Sequence, residues 1–161
     1  MANKQNIVPS LWFNDNAEEA IEFYLSIFPN SRIKQSSRYG AGGPFPEGTM
    51  MSAIFELDGL EVMALNGGPM FKFNEAISLM VKCETQDEVD KYWKALIADG
   101  GQEGPCGWCK DKYGVSWQVV PAILGKLMSG NDAQRAGRVA QALQQMKKLD
   151  IKKLQAAYDG N

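Results

Sequence analysis

Histidine is absent from all 161 residues. The absence removes the side chain that exchanges protons most readily near neutral pH, and the imidazole ligand that zinc, nickel, iron and manganese sites favour. Cysteine is scarce, and its count of three is odd, which argues against a disulfide scaffold and for a reducing, cytoplasmic setting. No apolar run approaches the roughly 18 residues of a membrane span, and the opening MANKQNIVPS lacks the apolar core of a signal peptide. Excess charge is small as well. Seventeen Lys and Arg against 19 Asp and Glu leave a net charge of −2, with no basic face before the C-terminal tail. Neither nucleic acid nor membrane is an expected partner. The 45% apolar content suffices for one proper core, so residues 1–161 read as a single domain.

What the chain does contain is a duplication. SLWFNDNAEEAIEFYLSIFP, Ser10–Pro29, falls on SLMVKCETQDEVDKYWKALI, Ser78–Ile97, after a shift of 68 residues. Ser10 meets Ser78, Leu11 meets Leu79, Phe13 meets Val81, Ile21 meets Val89, Tyr24 meets Tyr92 and Phe28 meets Leu96. Each copy reads as an apolar strand, a polar turn and an amphipathic helix. Thr85 with Glu88 has the pattern of a capping box, and Asn16 with Glu19 is a looser version.

In chain order, the pattern predicts a strand over 7–13, a helix over 17–28 stopped by Pro29-Asn30-Ser31, and a strand over 31–38. Tyr39–Gly48, YGAGGPFPEG, is too rich in Gly and Pro for a regular element and reads as a loop, with Phe45 a candidate lid. Strands 50–57 and 60–65 form a hairpin across Asp58-Gly59. The second half repeats the plan: strand 77–81, helix 85–99, a turn at Gly100-Gly101, short strands, a turn over 110–114 and a closing strand 115–120. The modules span 6–69 and 70–121. A βαβββ unit of this size cannot bury its apolar sheet face alone, so the halves are expected to pair. Helices follow over 122–161. One covers 122–128 and ends at Ser129-Gly130-Asn131. Another is capped by Asp132 with Ala136, Val139, Leu143 and Met146 in a stripe. The last is capped by Asp150, with Ile151, Leu154 and Tyr158 inward and Gly160 as its stop. Lys147, Lys148, Lys152 and Lys153 read as a solvated helix end.

The start LWFNDNAEEAIEFYLSIFPNS, the end GWCKDKYGVSWQVVP and the paired modules resemble the glyoxalase/bleomycin-resistance (vicinal oxygen chelate) superfamily. The closer resemblance is to its PhnB-like branch, which often bears the name 3-demethylubiquinone-9 3-methyltransferase. It covers about residues 6–121, and the helical tail matches the branch too. The resemblance implies an α+β fold of two paired βαβββ modules plus C-terminal helices. In metal-dependent members, one ligand, typically His or Glu, comes from the first strand and one from the last strand of each half. The resemblance puts the first-strand positions at Ser10 and Ser78, and alignment of Gly59 with Gly114 puts the others at Met63 and Gln118. These side chains are neutral, and a divalent ion wants anionic or imidazole donors. Glu61 alone does not make a site, so no metal or other cofactor is expected.

The same face supplies a candidate pocket of Ser10, Trp12, Glu61, Met63, Leu65, Ser78, Met80, Ser116 and Gln118. Apolar walls with a few hydroxyl and amide groups suit a small organic ligand; the alternative is that these residues are core, with their polar groups bonded to one another. Cys106-Gly-Trp-Cys109 has redox spacing, but no helix follows to stabilise a thiolate. Cys83 is expected to be inert, and Asp111 and Tyr113 to shape a turn. A metal-free homodimer that binds a small molecule is therefore expected. The alternatives are a metal-independent enzyme, for which no acid–base pair is visible, and a methyltransferase, for which no glycine-rich strand-to-helix loop is present.

Overall fold

The computed structural model describes residues 5–130 and 132–161. Residues 1–4, part of the N-terminal stretch read above, and Asn131, in the turn after the first tail helix, lie outside the described residues. The chain divides into two compact units, the first ending at Phe73 and the second beginning at Asn74.

The first unit runs β1 (Ser10–Phe13), α1 (Ala17–Ile27), β2 (Arg32–Arg38), β3 (Met50–Leu57) and β4 (Leu60–Asn66), with sheet order β1-β4-β3-β2. The second runs β5 (Leu79–Cys83), α2 (Gln86–Leu96), β6 (Gln102–Glu103), β7 (Trp108–Lys110) and β8 (Ser116–Pro121), with order β5-β8-β7-β6. In each, the first strand pairs parallel with the last and the other neighbours are antiparallel. The duplication read from the sequence is thus a duplication of βαβββ topology.

Alternation builds each core. In β4, Val62, Ala64 and Asn66 are buried, while Glu61, Met63 and Leu65 are only half-covered. Leu11 and Phe13 join the buried face, and α1 packs on β3 and β4 with Ala20, Ile21, Tyr24 and Ile27 inward. The β3–β4 connection is the expected tight turn, with Asp58 at φ 46° and Gly59 at φ 85°, the left-handed pair that a two-residue hairpin needs. In the second unit α2 covers Trp117, Val119 and Cys109 with Val89, Trp93 and Leu96.

The helix starts differ. Thr85 Oγ1 accepts from Glu88 N at 3.2 Å, as expected, while the Glu88 carboxylate takes the N–H of Glu84 at 2.6 Å, one residue earlier than a regular capping box. Asn16 makes no side-chain cap. Its place is taken by Asn66 at the end of β4, 2% exposed, whose Oδ1 accepts from Ala17 N (2.8 Å) and whose Nδ2 donates to Met50 O (2.9 Å). One carboxamide therefore ties helix start, strand end and neighbouring strand. Asp111 plays a similar part in the second unit. Its Oδ1 accepts from Tyr113 N and Val115 N, and its Oδ2 from Trp117 Nε1 at 2.8 Å, so it is turn chemistry as expected.

β2 forms an outer edge and is exposed along nearly its whole length, with register breaks after Ile33 and Ser37. The loop over 39–48 closes as the β2–β3 connection. Tyr39 N donates to Thr49 O, Gly48 N donates to Tyr39 O, and Phe45 lies 5.1 Å from the Tyr39 ring. The Tyr39 hydroxyl donates to Asn66 O at 2.8 Å.

The tail comprises α3 (Ile123–Met128), α4 (Ala133–Gln144) and α5 (Ile151–Asp159). Asp132 and Asp150 cap α4 and α5, and Gly160 ends α5 at φ 84°. Met146 lies beyond α4 but still packs against the tail core of Leu127, Val139, Leu149 and Leu154. Lys147 and Lys148 lie between α4 and α5, while Lys152 and Lys153 fall in the first turn of α5, where the helix dipole disfavours cations. They are therefore not a helix C-terminus. Lys147 pairs with Glu103 (3.3 Å) and Lys148 with Asp90 (2.6 Å), while Met146 O and Lys147 O accept from Cys106 N and Gly107 N. No helix among the described residues is long and apolar enough to cross a membrane.

Two outcomes follow from these contacts. Asn66→Ala should lower unfolding stability by about 2 kcal/mol, since buried groups on both sides lose their partner; urea titration measures it. Asn66→Asp keeps the acceptor but loses the donor to Met50 O, and should also destabilise. Hydrogen bonds from Trp93 and then Lys147 lower the Glu103 pKa, and bonds from Lys148 and then Gln86 lower that of Asp90. A carboxylate lowered in this way stabilises above its unfolded pKa and stops doing so as pH falls through its folded one, so the tail contacts should weaken below about pH 4. A falling protection factor of the Gly107 amide in acid, with its pH dependence damped in a Glu103→Gln/Asp90→Asn variant, is the expected signature.

Candidate functional site

The helix-covered face of each sheet is closed core, so chemistry must come from the other face. In the first unit this face carries Ser10 and Trp12 of β1 beside Met63 and Leu65 of β4, matched Ser10 to Met63 and Trp12 to Leu65. Glu61 extends the row, and Ile54 of β3 lies opposite Met63. Not every member is available to a guest. Trp12 Nε1 donates to Gly68 O at 2.9 Å, and its ring meets Phe71 edge-on at 5.0 Å. Gly67 lies so close beneath that ring that a Cβ there would stand 2.2 Å from Cζ2. The Glu61 carboxylate accepts from Lys34 Nζ at 2.5 Å, and its backbone is held by Gln5. Ser10 is exposed and Met63 half-buried.

In the second unit the matching face carries Met80 and Gln118, which are Cα partners, with Ser116 and the preceding Ser78. Gln118 Nε2 donates to Ser78 Oγ at 2.8 Å, so these two mid-sheet polar groups satisfy each other. Met80 is 52% exposed, whereas Ser116 is buried and donates to Asn74 O at 3.4 Å.

The register corrects one equivalence. Trp12 pairs with Leu65 and its repeat-mate Met80 pairs with Gln118, so Gln118 corresponds to Leu65, and Ser116 corresponds to Met63. Met63 lies four residues after Gly59, whereas its counterpart Ser116 lies two after Gly114. Equating the glycines therefore slips the comparison by two, an even number that keeps the face and changes the level. With either register, serine hydroxyls, a thioether and an amide do not fit a divalent metal. Among the described residues, no group of three or more Cys, Asp and Glu is placed to hold one.

Sequence reasoning missed a concavity of the second unit. A cleft of about 380 Å³ in the second unit is lined by Trp108, Lys110 and Ser116, with Glu75, Gln102 and Pro105 at its sides. Of these, only Ser116 belongs to the pocket expected from the sequence. Lys110 pairs with Glu75. β6 and β7 are two and three residues long, too short to show a period, but Trp108 and Lys110 alternate opposite Gln118 and Ser116. That alternation was the available signal.

Cys109 forms part of the cleft wall. Burial, with Asp111 nearby, pushes its thiol up to about 12, and burial raises Cys83 to about 11. Neither is a thiolate near neutral pH. Cys106 is half-exposed in the Pro105–Trp108 turn at φ 57°, and no helix starts there.

A family profile described as 3-demethylubiquinone-9 3-methyltransferase matches residues 5–120. The PhnB protein of Bacillus cereus, described with the same methyltransferase name, is 41% identical; the match covers 73% of this chain and all of that one, with a TM-score of 0.67. Protein PA1353 of Pseudomonas aeruginosa is 22% identical over 73% of this chain and 98% of its own, with a TM-score of 0.59. The fosfomycin resistance protein FosX of Listeria monocytogenes is 17% identical over 77% and 98%, at 0.52. The last two share the fold, which is the glyoxalase/bleomycin-resistance fold. No curated protein matches the chain.

The thiol environments make a direct prediction. Under native conditions at pH 8, a disulfide reagent such as dithionitrobenzoate should label Cys106 quickly and leave Cys83 and Cys109 unreacted until denaturant is added. Mass spectrometry of the labelled peptides reads the order.

Proposed function

The chain belongs to the family described as 3-demethylubiquinone-9 3-methyltransferase, and we propose that this member is a metal-free, small-molecule-binding homodimer of the reducing cytoplasm. One observation carries the reading. At the strand levels where metal-dependent members of the fold place their ligands, this chain has Ser10, Met63, Ser78 and either Ser116 or Gln118, in a sequence without histidine. A face whose one carboxylate, Glu61, is already paired with Lys34, and which otherwise offers hydroxyl, amide, thioether and indole groups, is suited to an organic guest. Ser10, Trp12, Glu61 and Met63 in the first unit, with Ser78, Met80, Ser116 and Gln118 in the second, are the proposed contact set. Trp12 and Glu61 act there mainly as positioned walls, given their existing bonds.

Nucleic acid and membranes are not partners in this proposal, since the net charge is −2 and no described helix is a membrane span. Catalysis is not required. With no histidine, near-neutral proton transfer lacks its usual carrier, and burial holds the Cys83 and Cys109 thiols protonated. The methyltransferase name finds little support in the residues. Gly40–Gly43 lies between two strands, β2 and β3, and so opens no helix toward a nucleotide-like cofactor.

Elemental analysis of the purified protein should find no stoichiometric transition metal, and full occupancy by one would refute the proposal. A thermal-shift panel of aromatic and thiol-containing metabolites should contain stabilising compounds, because a ligand at 100 times its dissociation constant adds about 2.7 kcal/mol. Adenosylmethionine belongs in the same panel, where a clear shift would favour the methyltransferase instead. Sedimentation equilibrium checks the dimer.

A further inference from the structure

The cleft of the second unit has a more definite chemistry than its size alone conveys. Trp108 and Lys110 stand two residues apart on β7, so they rise from one face of the sheet, about 7 Å apart along the strand. Ser116, the Cα partner of Lys110, completes the floor. Trp108 supplies a half-buried aromatic surface and Lys110 a cation one pleat away.

The charges differ in how firmly they are held. Lys110 is anchored in the β7–β8 ladder and its side chain is 31% exposed. Its partner Glu75 lies on a turn ahead of β5 and is 63% exposed. A surface pair of this kind contributes little, and Glu75 can turn to water at small cost. Glu103, the other carboxylate of the lining, is already committed, accepting from Trp93 Nε1 at 3.1 Å and pairing with Lys147. The exchangeable feature of the cleft is thus an anion's place beside Lys110, next to a ring surface.

We infer that this cleft takes an aryl carboxylate, an aromatic ring joined to a carboxylate by a short spacer. The ring lies against Trp108, and the carboxylate replaces Glu75 at Lys110. Ser116, 2% exposed, brings a hydroxyl to the same floor. Cys109 lies between Trp108 and Lys110, so its thiol points to the helix-covered face and away from the guest, which is held and not attacked. The inference rests on the small-molecule-binding reading above and names a ligand class for the second unit, through the cleft that contains Ser116.

Calorimetric titration with trans-cinnamate tests it, beside cinnamyl alcohol and cinnamylamine, which have the same outline without the negative charge. Cinnamate should bind about tenfold or more tightly than either. Lys110→Met should weaken cinnamate about tenfold and erase the preference for it over the alcohol, while Lys110→Arg should retain both. Trp108→Leu should weaken all three. Glu75→Gln should tighten cinnamate about threefold, because the competing carboxylate is gone, and a merely structural Glu75 would not give that gain. The inference fails if cinnamate does not bind, or if binding ignores Lys110→Met and Glu75→Gln. If other compounds of the thermal-shift panel bind while cinnamate does not, the small-molecule reading stands and this assignment falls; if nothing binds, both fall. Should Trp108→Leu not fold, the variants at Lys110 and at the exposed Glu75 still decide.

Discussion

Side-chain alternation along β4 and β8 is the constraint on which the other features depend. A strand sends successive residues to opposite faces, and in each unit one helix seals one of those faces. Val62 and Ala64 under α1, and Trp117 and Val119 under α2, are buried for this reason. What remains on the other side must be residues that tolerate partial exposure: a thioether, hydroxyls, an amide and indole rings. The candidate site is therefore the complement of the core. Its composition follows from the same period that built the core.

Sealing a sheet with a helix creates a polar problem at the seam, and the two units solve it alike. A helix start has orphan N–H groups, and a tight turn has orphan amides. Asn66 answers the first in unit one, and Asp111 answers the second in unit two. Both are nearly inaccessible to solvent, yet both have their hydrogen-bonding atoms occupied. No buried side-chain polar atom among the described residues lacks a partner. The buried polar groups of this protein are thus fasteners, and the half-open face is where polar groups remain for other work.

Much of this was legible from the chain alone, and the failures have physical causes. The duplication was visible because helix and strand periods recur after 68 residues, and the Asp58-Gly59 hairpin because only a left-handed pair turns so tightly. Thr85, Asp132 and Asp150 announced their helices because their caps are local. Asn16 misled because the true partner of the helix start is 49 positions away in β4, beyond any local pattern. Gln118 was set level with Met63 because two glycines were equated, although the turns before β4 and β8 differ in length. The cleft is not legible in the sequence because β6 and β7 are too short to display a period.

The outer strand of the first sheet carries one further consequence. β2 presents unpaired backbone along its free side, which in principle invites a strand from another molecule to extend the sheet without limit. Here the row is interrupted at Ile33/Gln35 and again at Ser37/Arg38, and it bristles with Arg32, Lys34 and Arg38. Each is paired with a carboxylate, Arg32 with Glu56, Lys34 with Glu61 and Arg38 with Glu18. A stacking strand would have to bury or break those charge pairs, and the two irregularities deny it a straight template. The protein thus carries built-in resistance to fibrillar stacking at the place where an open sheet is most vulnerable to it.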